Sequence, residues 1–257
     1  MIDLHLVSWN RPKMTELVIK TIHRNTKRES FRLTVLDNGS DSETRAMLQN
    51  LYDNAYIDEY SNFEQNMGLE FARQNMFERS TYGDYFIDID NDCLPTPVPV
   101  GGMDWVEQLI DLMDKYEDYA AVACRTQVMI GTGNIFTDES KEITEFPHPG
   151  GSLRIMRSSA VAGVGGWDRE SSGRGSEERY ICGKLREAGY KTGFATHIPT
   201  LHLFGDTTTD RWGYPIDYQP EATGHSDISH PALTNGDIKE ELLRFAGEED
   251  VNSYYKK

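Results

Sequence analysis

The sequence predicts an α/β fold in which a mostly parallel, Rossmann-like sheet is flanked by helices. Strand-like and helix-like segments alternate over residues 1–95, and this alternation is typical of parallel sheets with helical crossovers. Polar residues follow the strand-like segments at Ser8, Asp37 and Asp88, where ligands bind in open α/β sheets. The length of 257 residues suits one large domain, or one domain with an appendage.

Hydrophobic periodicity and turn residues predict the elements of the N-terminal part. Strands are expected at 2–8, 31–36, 56–60 and 85–87. Pro12 is expected to open the first helix, because proline fits the first helical turn. The second helix is expected to begin at an N-cap on Ser40 or Asp41, and the third to cover 68–79.

The remaining residues predict a second set of elements and an extension. Helices are expected at 105–115, at 176–187 with Gly189 as the C′ residue, and near 238–246. Strands are expected at 120–128, 153–156 and 191–195, with a polar loop or small hairpin at 131–149. Residues 206–257 are expected to wrap the domain, or to contact an acceptor or a second subunit.

Composition and charge exclude several classes of protein. The formal net charge of −16 argues against a broad surface for nucleic acid or anionic membranes. Cys93, Cys124 and Cys182 form no Cys-x-x-Cys pair, so neither a zinc knuckle nor a disulfide framework is predicted, and a reduced, cytoplasmic setting is expected. The N-terminus has no signal-peptide pattern, and no run approaches the roughly 20 apolar residues of a membrane span.

The most informative stretch is the strand-like run 85–87 and the alternating carboxylates Asp88, Asp90 and Asp92 that follow it. Like charges this close repel one another, so a divalent cation with oxygen ligands is the simplest partner. The alternative is a solvated loop whose aspartates cap the next turn. An EF-hand starting at Asp88 would need Gly and Glu where Cys93 and Pro99 stand.

Other phosphate and metal motifs are absent from this stretch and from the first turn. A phosphoaspartyl hydrolase would carry its aspartates on the first strand, whereas this run lies near residue 90. The first βα turn lacks Gly-x-Gly-x-x-Gly and no Gly-Lys-Ser/Thr loop occurs, so neither a dinucleotide-binding domain nor a phosphate loop is predicted. An Asp-x-Asp clamp for a metal and a diphosphate remains, and nucleotide-sugar transferases use such a clamp.

The order of the motifs resembles glycosyltransferase family 2, whose members have the GT-A fold. The resemblance covers about residues 2–205. The matching segments are 8–12, 35–41, 66–75, 89–92, 151–168 and 177–190. The resemblance implies a catalytic domain at 1–205, with a donor half at 1–95 and an acceptor half at 96–205, followed by the extension at 206–257.

The resemblance also implies a role for each matching residue. The donor-binding residues would be Ser8, Asn10, Arg11, Asp37, Arg73, Asp88, Asp90 and Asn91. The ligands of Mn²⁺ or Mg²⁺ would be Asp90, Asp92 and His202, with His197 a weaker candidate. The catalytic base would be Glu178 or Glu177, and the acceptor-binding residues Gly151, Ser152 and Trp167.

Two of these assignments depart from the family pattern or have a simpler explanation. The base position usually reads Glu-Asp and here reads Glu177-Glu178, which leaves the base unassigned between the two. Acidic residues are also common in the first turn of a helix. Trp167 could stack on a sugar or a base, or could be a buried structural residue.

The expected function is therefore a metal-dependent, inverting transfer of a sugar from a nucleoside-diphosphate sugar, with UDP favoured, to an acceptor hydroxyl. A nucleotidyltransferase would need a Gly-rich basic loop after the first strand, which 8–11 does not provide. A nucleotide- or carbohydrate-binding module without turnover is an alternative of another class. The acceptor is expected to be a glycan. Hydroxymethylated bases of phage-type DNA are an alternative, which would need a basic face formed by Arg169, Arg174, Arg179, Lys184 and Arg186.

Overall fold

The computed structural model describes residues 1–79, 83–126, 138–150, 153–168, 176–203 and 236–255. The strands are β1 Ile2–Ser8, β2 Phe31–Asp37, β3 Glu59–Asn62, β4 Tyr85–Asp90, β5 Cys93–Pro95, β6 Tyr119–Thr126, β7 Ile143–Glu145, β8 Arg154–Arg157 and β9 Lys191–His202. The helices are α1 Pro12–Asn25, α2 Ser42–Asp53, α3 Leu69–Arg79, α4 Trp105–Lys115, α5 Ser158–Gly163, α6 Ser176–Glu187, α7 Gly236–Ala246 and α8 Glu248–Tyr255.

The strands form one sheet in the order β3-β2-β1-β4-β8-β6-β9-β5, with β7 paired to β9. The strands β1 to β4 are parallel to one another, and β6 is parallel to β9. Among the described strands, only β5, β7 and β8 are antiparallel to the strands they pair with. The predicted α/β fold, a mostly parallel sheet flanked by helices, is therefore confirmed.

Local sequence explains where the helices begin. Pro12 is the first residue of α1, as predicted. The side chain of Asp41 accepts a hydrogen bond from the Thr44 amide and caps α2, while Asp104 forms a full capping box at α4. These caps satisfy backbone amides that have no partner inside the helix.

The main differences from the sequence prediction concern the strands of the C-terminal part. The strand β5 was not predicted, and β7 lies within 131–149, which was expected to be a polar loop or a small hairpin. The strand β9 continues to His202 instead of ending at residue 195. An irregularity in its pairing with β6, between Cys124 and Arg125, accommodates Pro199, which interrupts a regular strand pattern.

The last two helices belong to the main core. Leu242, Phe245 and Val251 are buried in the same apolar cluster as α1, and Asn25 Nδ2 donates a hydrogen bond of 2.9 Å to the Phe245 carbonyl oxygen. The described part of the predicted extension therefore packs on the domain, while the boundary at 205 stays a prediction. No described helix has the length and apolar character needed to cross a membrane.

Candidate functional site

The carboxyl ends of β1 and β2 are joined by a set of short hydrogen bonds. The Asn38 amide donates to the Ser8 carbonyl oxygen over 2.7 Å. The Asn10 amide donates to Ser40 Oγ over 2.8 Å, and the Asp41 amide donates to Asn10 Oδ1 over 2.9 Å. These contacts fix the two strand ends, which the sequence predicted to share a crevice.

The turn after β1 carries two consecutive residues in the left-handed region. Asn10 has φ 55° and Arg11 has φ 58°, and this conformation is uncommon outside glycine. The turn directs Arg11 toward the third strand end, where its Nη1 lies 3.3 Å from Asp92 Oδ2. Asn91 Nδ2 also donates to Thr15 Oγ1 on α1 over 3.0 Å. The three predicted strand ends therefore meet at one edge of the sheet.

Asp37, the last residue of β2, is fully buried. Its Oδ1 accepts a hydrogen bond from the Ser40 amide over 2.9 Å, and its Oδ2 accepts one from Arg45 Nε over 3.3 Å. Burial raises the pKa of Asp37, and the contacts with Ser40 and Arg45 oppose that rise. Gly39 follows with φ 81°, and a Cβ there would lie 2.1 Å from the Gln65 carbonyl carbon, so this turn needs glycine.

Three donor atoms of different chemistry meet where β5 begins and β9 ends, and we call Asp92, Cys93 and His202 the cation triad. Asp92 Oδ1 lies 3.5 Å from His202 Nε2 and 3.5 Å from Cys93 Sγ. The three donor atoms lie within 4.8 Å of one another, an arrangement that no other His, Cys, Asp or Glu group in the described residues shows. Oxygen, nitrogen and sulfur at such separations suit a divalent cation. Asp90, a predicted ligand, lies outside this group.

Behind the triad, four fully buried side chains form a charge network of Arg73, Asp88, Arg154 and Glu177. Arg73 Nη1 lies 3.1 Å from Asp88 Oδ1, and Arg73 Nε lies 3.3 Å from Glu177 Oε1. Arg154 Nη2 donates to Asp88 Oδ2 over 3.1 Å and to Glu177 Oε1 over 2.5 Å. Two guanidinium groups thus face two carboxylates, so the network balances its own charge.

Asp90 lies between the network and the triad. Arg73 Nη2 donates to Asp90 Oδ1 over 2.7 Å, and 30% of the Asp90 side chain is exposed. Loss of water raises the pKa of Asp90, and Asp92 and Glu178 raise it further while Arg73 lowers it. Asp88 and Glu177 already balance the two arginines, so Asp90 is a third carboxylate beside them, and its pKa is raised to about 7.

The two glutamates at the start of α6 have different surroundings. Burial alone would raise the pKa of Glu177, but Arg154 and Arg73 outweigh burial and hold it below its ordinary value. Trp167 Nε1 also donates to Glu177 Oε1 over 2.8 Å. Glu178 is half-buried and lies close enough to raise the pKa of Asp90. Glu177 thus accepts hydrogen bonds from Arg154 and Trp167 and forms an ion pair with Arg73, while the charge of Glu178 acts on Asp90.

Trp167 is 3% exposed, and its ring packs edge-on against Phe77 and Phe86. In this structure the side chain acts on Glu177, and acceptor binding by Trp167 stays a prediction. Gly151 and Ser152, the other predicted acceptor residues, lie outside the described residues.

Sequence reasoning missed Arg154, because a single arginine in a strand-like segment carries no motif. The basic face required by the DNA alternative is only partly described, since Arg169 and Arg174 lie outside the described residues. Of the other members, Lys184 donates to the Gly166 carbonyl oxygen over 3.2 Å, and Arg186 lies 3.4 Å from Glu145. No contact in the described part of the chain favours that alternative.

Comparison with known proteins identifies both a family and a fold. The family model described as "Glycosyl transferase family 2" matches residues 4–165. No curated protein sequence matches the chain.

Several solved glycosyltransferases share the fold. The mannosyltransferase PcManGT from Pyrobaculum calidifontis, in complex with GDP-Man and Mn²⁺, has a TM-score of 0.63 and 15% identity, covering 78% of this chain and 56% of that chain. GalNAc-T7 with UDP, GalNAc and Mn²⁺ has a TM-score of 0.65 and 13% identity, covering 99% of this chain and 50% of that chain. S. aureus TarS 1–349, in complex with UDP-GlcNAc, has a TM-score of 0.59 and 13% identity, covering 78% of this chain and 58% of that chain. The chain therefore spans little more than half the length of the structures it resembles.

Proposed function

The chain belongs to glycosyl transferase family 2, and from this membership we propose that it is a metal-dependent, inverting glycosyltransferase. The donor is a nucleoside-diphosphate sugar, with UDP favoured over GDP, and the acceptor is a hydroxyl group of a glycan. The observation that carries this proposal is the position of the cation triad, which faces the joined ends of β1 and β2. Solved structures with this fold contain Mn²⁺ and nucleotides or nucleotide sugars.

The donor half of the proposed site is 1–95. Asp37 and Asn10, with Ser8 beside them, are proposed to receive the nucleoside, because they end the first two strands. Arg11 is proposed to face the diphosphate, because its guanidinium group lies beside the triad at 3.3 Å from Asp92. Arg73 is proposed to act indirectly, since its hydrogen bond to Asp90 orients that carboxylate.

Asp92 and His202 are proposed to hold Mn²⁺ or Mg²⁺, with Asp90 at the edge of the same site. A cation bound there would supply positive charge for the leaving diphosphate. The side chain of Asp92 is mostly buried and fixed by Arg11 on its second oxygen, so its first oxygen is oriented before a ligand arrives. Such outer contacts hold metal ligands in place.

We propose that Glu178, not Glu177, takes the proton of the acceptor hydroxyl. Glu177 is held by Arg154 and Trp167, which favours its ionised form and leaves it poorly suited to accept a proton. Glu178 has no such pair among the described contacts, and its charge acts on Asp90. Glu177 is proposed to position the start of α6, and thereby Glu178.

Calorimetry of UDP and GDP, with and without Mn²⁺, tests the donor site. We expect one nucleotide to bind only with Mn²⁺ and this binding to disappear in Asp92→Ala. Binding of neither nucleotide with Mn²⁺ would overturn the proposed donor site. Proton NMR of the product made with the accepted donor then tests inversion at the anomeric carbon.

The base is tested by Glu178→Gln, with Glu187→Gln on the same helix as a matched control. We expect kcat to fall by roughly 10²–10⁴-fold in Glu178→Gln, with nucleotide affinity unchanged, because the base acts only in the reaction. Glu187 is exposed, so Glu187→Gln should keep the wild-type rate. An equal rate in both variants would assign the base elsewhere.

A further inference from the structure

Arg125 is a basic residue at the site edge of the sheet to which the proposed function assigns no role. The strand β6 pairs antiparallel with β8, and β8 pairs antiparallel with β4. The strands β4 and β6 therefore run in the same direction, and their carboxyl ends lie at the same edge of the sheet. Arg125 and Thr126 end β6 at the edge where Asp90 ends β4.

Strand register places Arg125 on the same face of the sheet as Asp90. Asp88 is opposite Arg154 on β8, and Arg154 is opposite Ala123 on β6. Asp90 and Arg125 each follow this row by two residues, and side chains two residues apart lie on the same face of a strand. Two strand spacings of about 4.8 Å separate β4 from β6, so the backbones of the two residues lie roughly 10 Å apart.

The helix that carries the proposed base covers this face of β6. Ala121 on β6 belongs to the same apolar cluster as Ile181 of α6. Arg154, on the neighbouring strand, donates to Glu177 in the first turn of that helix over 2.5 Å. Arg125 lies further along β6 than Ala121, toward the carboxyl end. Arg125 therefore lies at the same edge as the start of α6, on the proposed acceptor side of the crevice.

An irregularity in the sheet holds the Arg125 side chain. The pairing of β6 with β9 joins Cys124 to Ala195 and then Arg125 to Pro199, so the residues of β9 between these partners bulge out of the register. Bulges are common next to active sites, where they re-aim a side chain. Arg125 Nη1 donates to the Thr196 carbonyl oxygen within the bulge over 3.4 Å, and Arg125 is half-buried. The bulge thus fixes a partly exposed guanidinium group at the site edge.

We propose that Arg125 binds an anionic group, a phosphate or a carboxylate, on the acceptor. The planar guanidinium group matches the oxygens of either group. The net charge of −16 repels an anionic acceptor, and a fixed cation on the acceptor side offsets that repulsion locally. This inference rests on the proposed function and narrows its acceptor to a hydroxyl compound that also carries an acid group.

Binding of three matched sugars, measured by calorimetry with and without UDP and Mn²⁺, tests the proposal. Glucose-6-phosphate, glucuronate and glucose share a sugar ring and differ in carrying a phosphate, a carboxylate or no charge. We expect one of the anionic sugars to bind the wild type roughly 10- to 100-fold more tightly than glucose, because hydrogen bonds to charged groups are the stronger ones. The tighter of the two identifies the group. If neither anionic sugar binds more tightly than glucose, the proposal is overturned.

Variants separate the role of Arg125 from a general effect of charge. Arg125→Gln should abolish the preference for the anionic sugar, and Arg125→Lys, which keeps the charge, should retain part of it. Arg186→Gln is the control, because it removes an exposed arginine paired with Glu145, and it should keep the full preference. A preference that survives in Arg125→Gln, or an equal loss in Arg186→Gln, would overturn the proposal.

The affinity for UDP with Mn²⁺, measured in the same variants, separates this inference from the proposed function. Arg125→Gln should bind UDP as the wild type does, which also shows that the variant is folded. Weaker UDP binding in Arg125→Gln would assign the residue to the donor and overturn its acceptor role. Failure of the wild type to bind any nucleotide would instead overturn the proposed donor site, while the sugars titrated alone would still test Arg125.

Discussion

Asp88 and Asp92 lie four residues apart in the chain but in opposite electrostatic surroundings. Asp88 belongs to the charge network, where each of its oxygens lies 3.1 Å from a guanidinium nitrogen. Asp92 belongs to the cation triad, where one oxygen faces an arginine and the other faces a thiol and an imidazole. The first carboxylate is compensated by the protein, and the second presents an oxygen that suits a cation.

The difference shows that neighbouring acidic residues in one run can have different roles. Burial raises the pKa of Asp88, and the guanidinium groups of Arg73 and Arg154 oppose that rise. Asp90 connects the two regions through its hydrogen bond from Arg73. A change in the charge network should therefore act on stability, and a change in the cation triad on ligand binding.

The largest expected effect is that of Arg154→Met, which removes one cation from the charge network. We expect the free energy of unfolding to fall by roughly 3–5 kcal/mol, because Asp88 and Glu177 are left buried with one arginine between them. Urea denaturation measures this loss. Arg32→Met, which removes a partly exposed pair with Asp3, is the control and should cost less than about 1 kcal/mol. Equal losses in both variants would contradict the comparison.

The second effect concerns pH and His5, which pairs in register with Asp88. Burial lowers the pKa of His5 to about 4 from an ordinary value of 6.5. The unfolded chain therefore binds the proton first, and stability is lost as the pH falls from 6.5 toward 4. Protonation of His5 accounts for a loss of about 3 kcal/mol in the free energy of unfolding over this range.

Urea denaturation at several pH values measures this share, with His5→Gln as the comparison. The variant should lose less stability than the wild type between pH 6.5 and 4, because its side chain does not titrate. Identical pH dependence in the two proteins would show that His5 does not contribute.

The third effect contrasts the two aspartates directly. Asp92→Asn should weaken Mn²⁺ binding by roughly 100-fold or more, since changes to outer contacts alone cost about 10–100-fold. Its stability without metal should change by less than about 1 kcal/mol, because the weaker contact with Arg11 is offset by the loss of repulsion between Asp92 and Asp90. Calorimetry and urea denaturation measure the two quantities. Asp88→Asn is the matched variant and should show the reverse, a large loss of stability with the smaller change in Mn²⁺ affinity.

The parallel part of the fold could be predicted because its signals are local. Pro12 at the start of α1 and Asp41 as the cap of α2 follow from turn chemistry within a few residues. The strand ends at Ser8, Asp37 and the aspartate run meet because parallel strands place their carboxyl ends at one edge.

The remaining features depend on contacts between distant segments. Cys93 and His202 meet only because β5 pairs with β9, and no local pattern encodes that pairing. Arg154 is unremarkable in sequence, and its role follows from the packing of β8 against β4 and α6. The same packing gives Glu177 and Glu178 different contacts. Two identical neighbouring residues in the sequence could not predict that difference.

Because β5 pairs with β9, the triad of Asp92, Cys93 and His202 is completed late in protein synthesis. His202 follows Cys93 by 109 residues (202 − 93), so at about 5–20 residues per second the ribosome needs roughly 5–20 s to reach it. For that interval Asp92 and Cys93 are outside the ribosome while His202 is not. Completion of the proposed cation site is therefore a late event of biogenesis, and a chain released before residue 202 has the first strands of the sheet but an incomplete site.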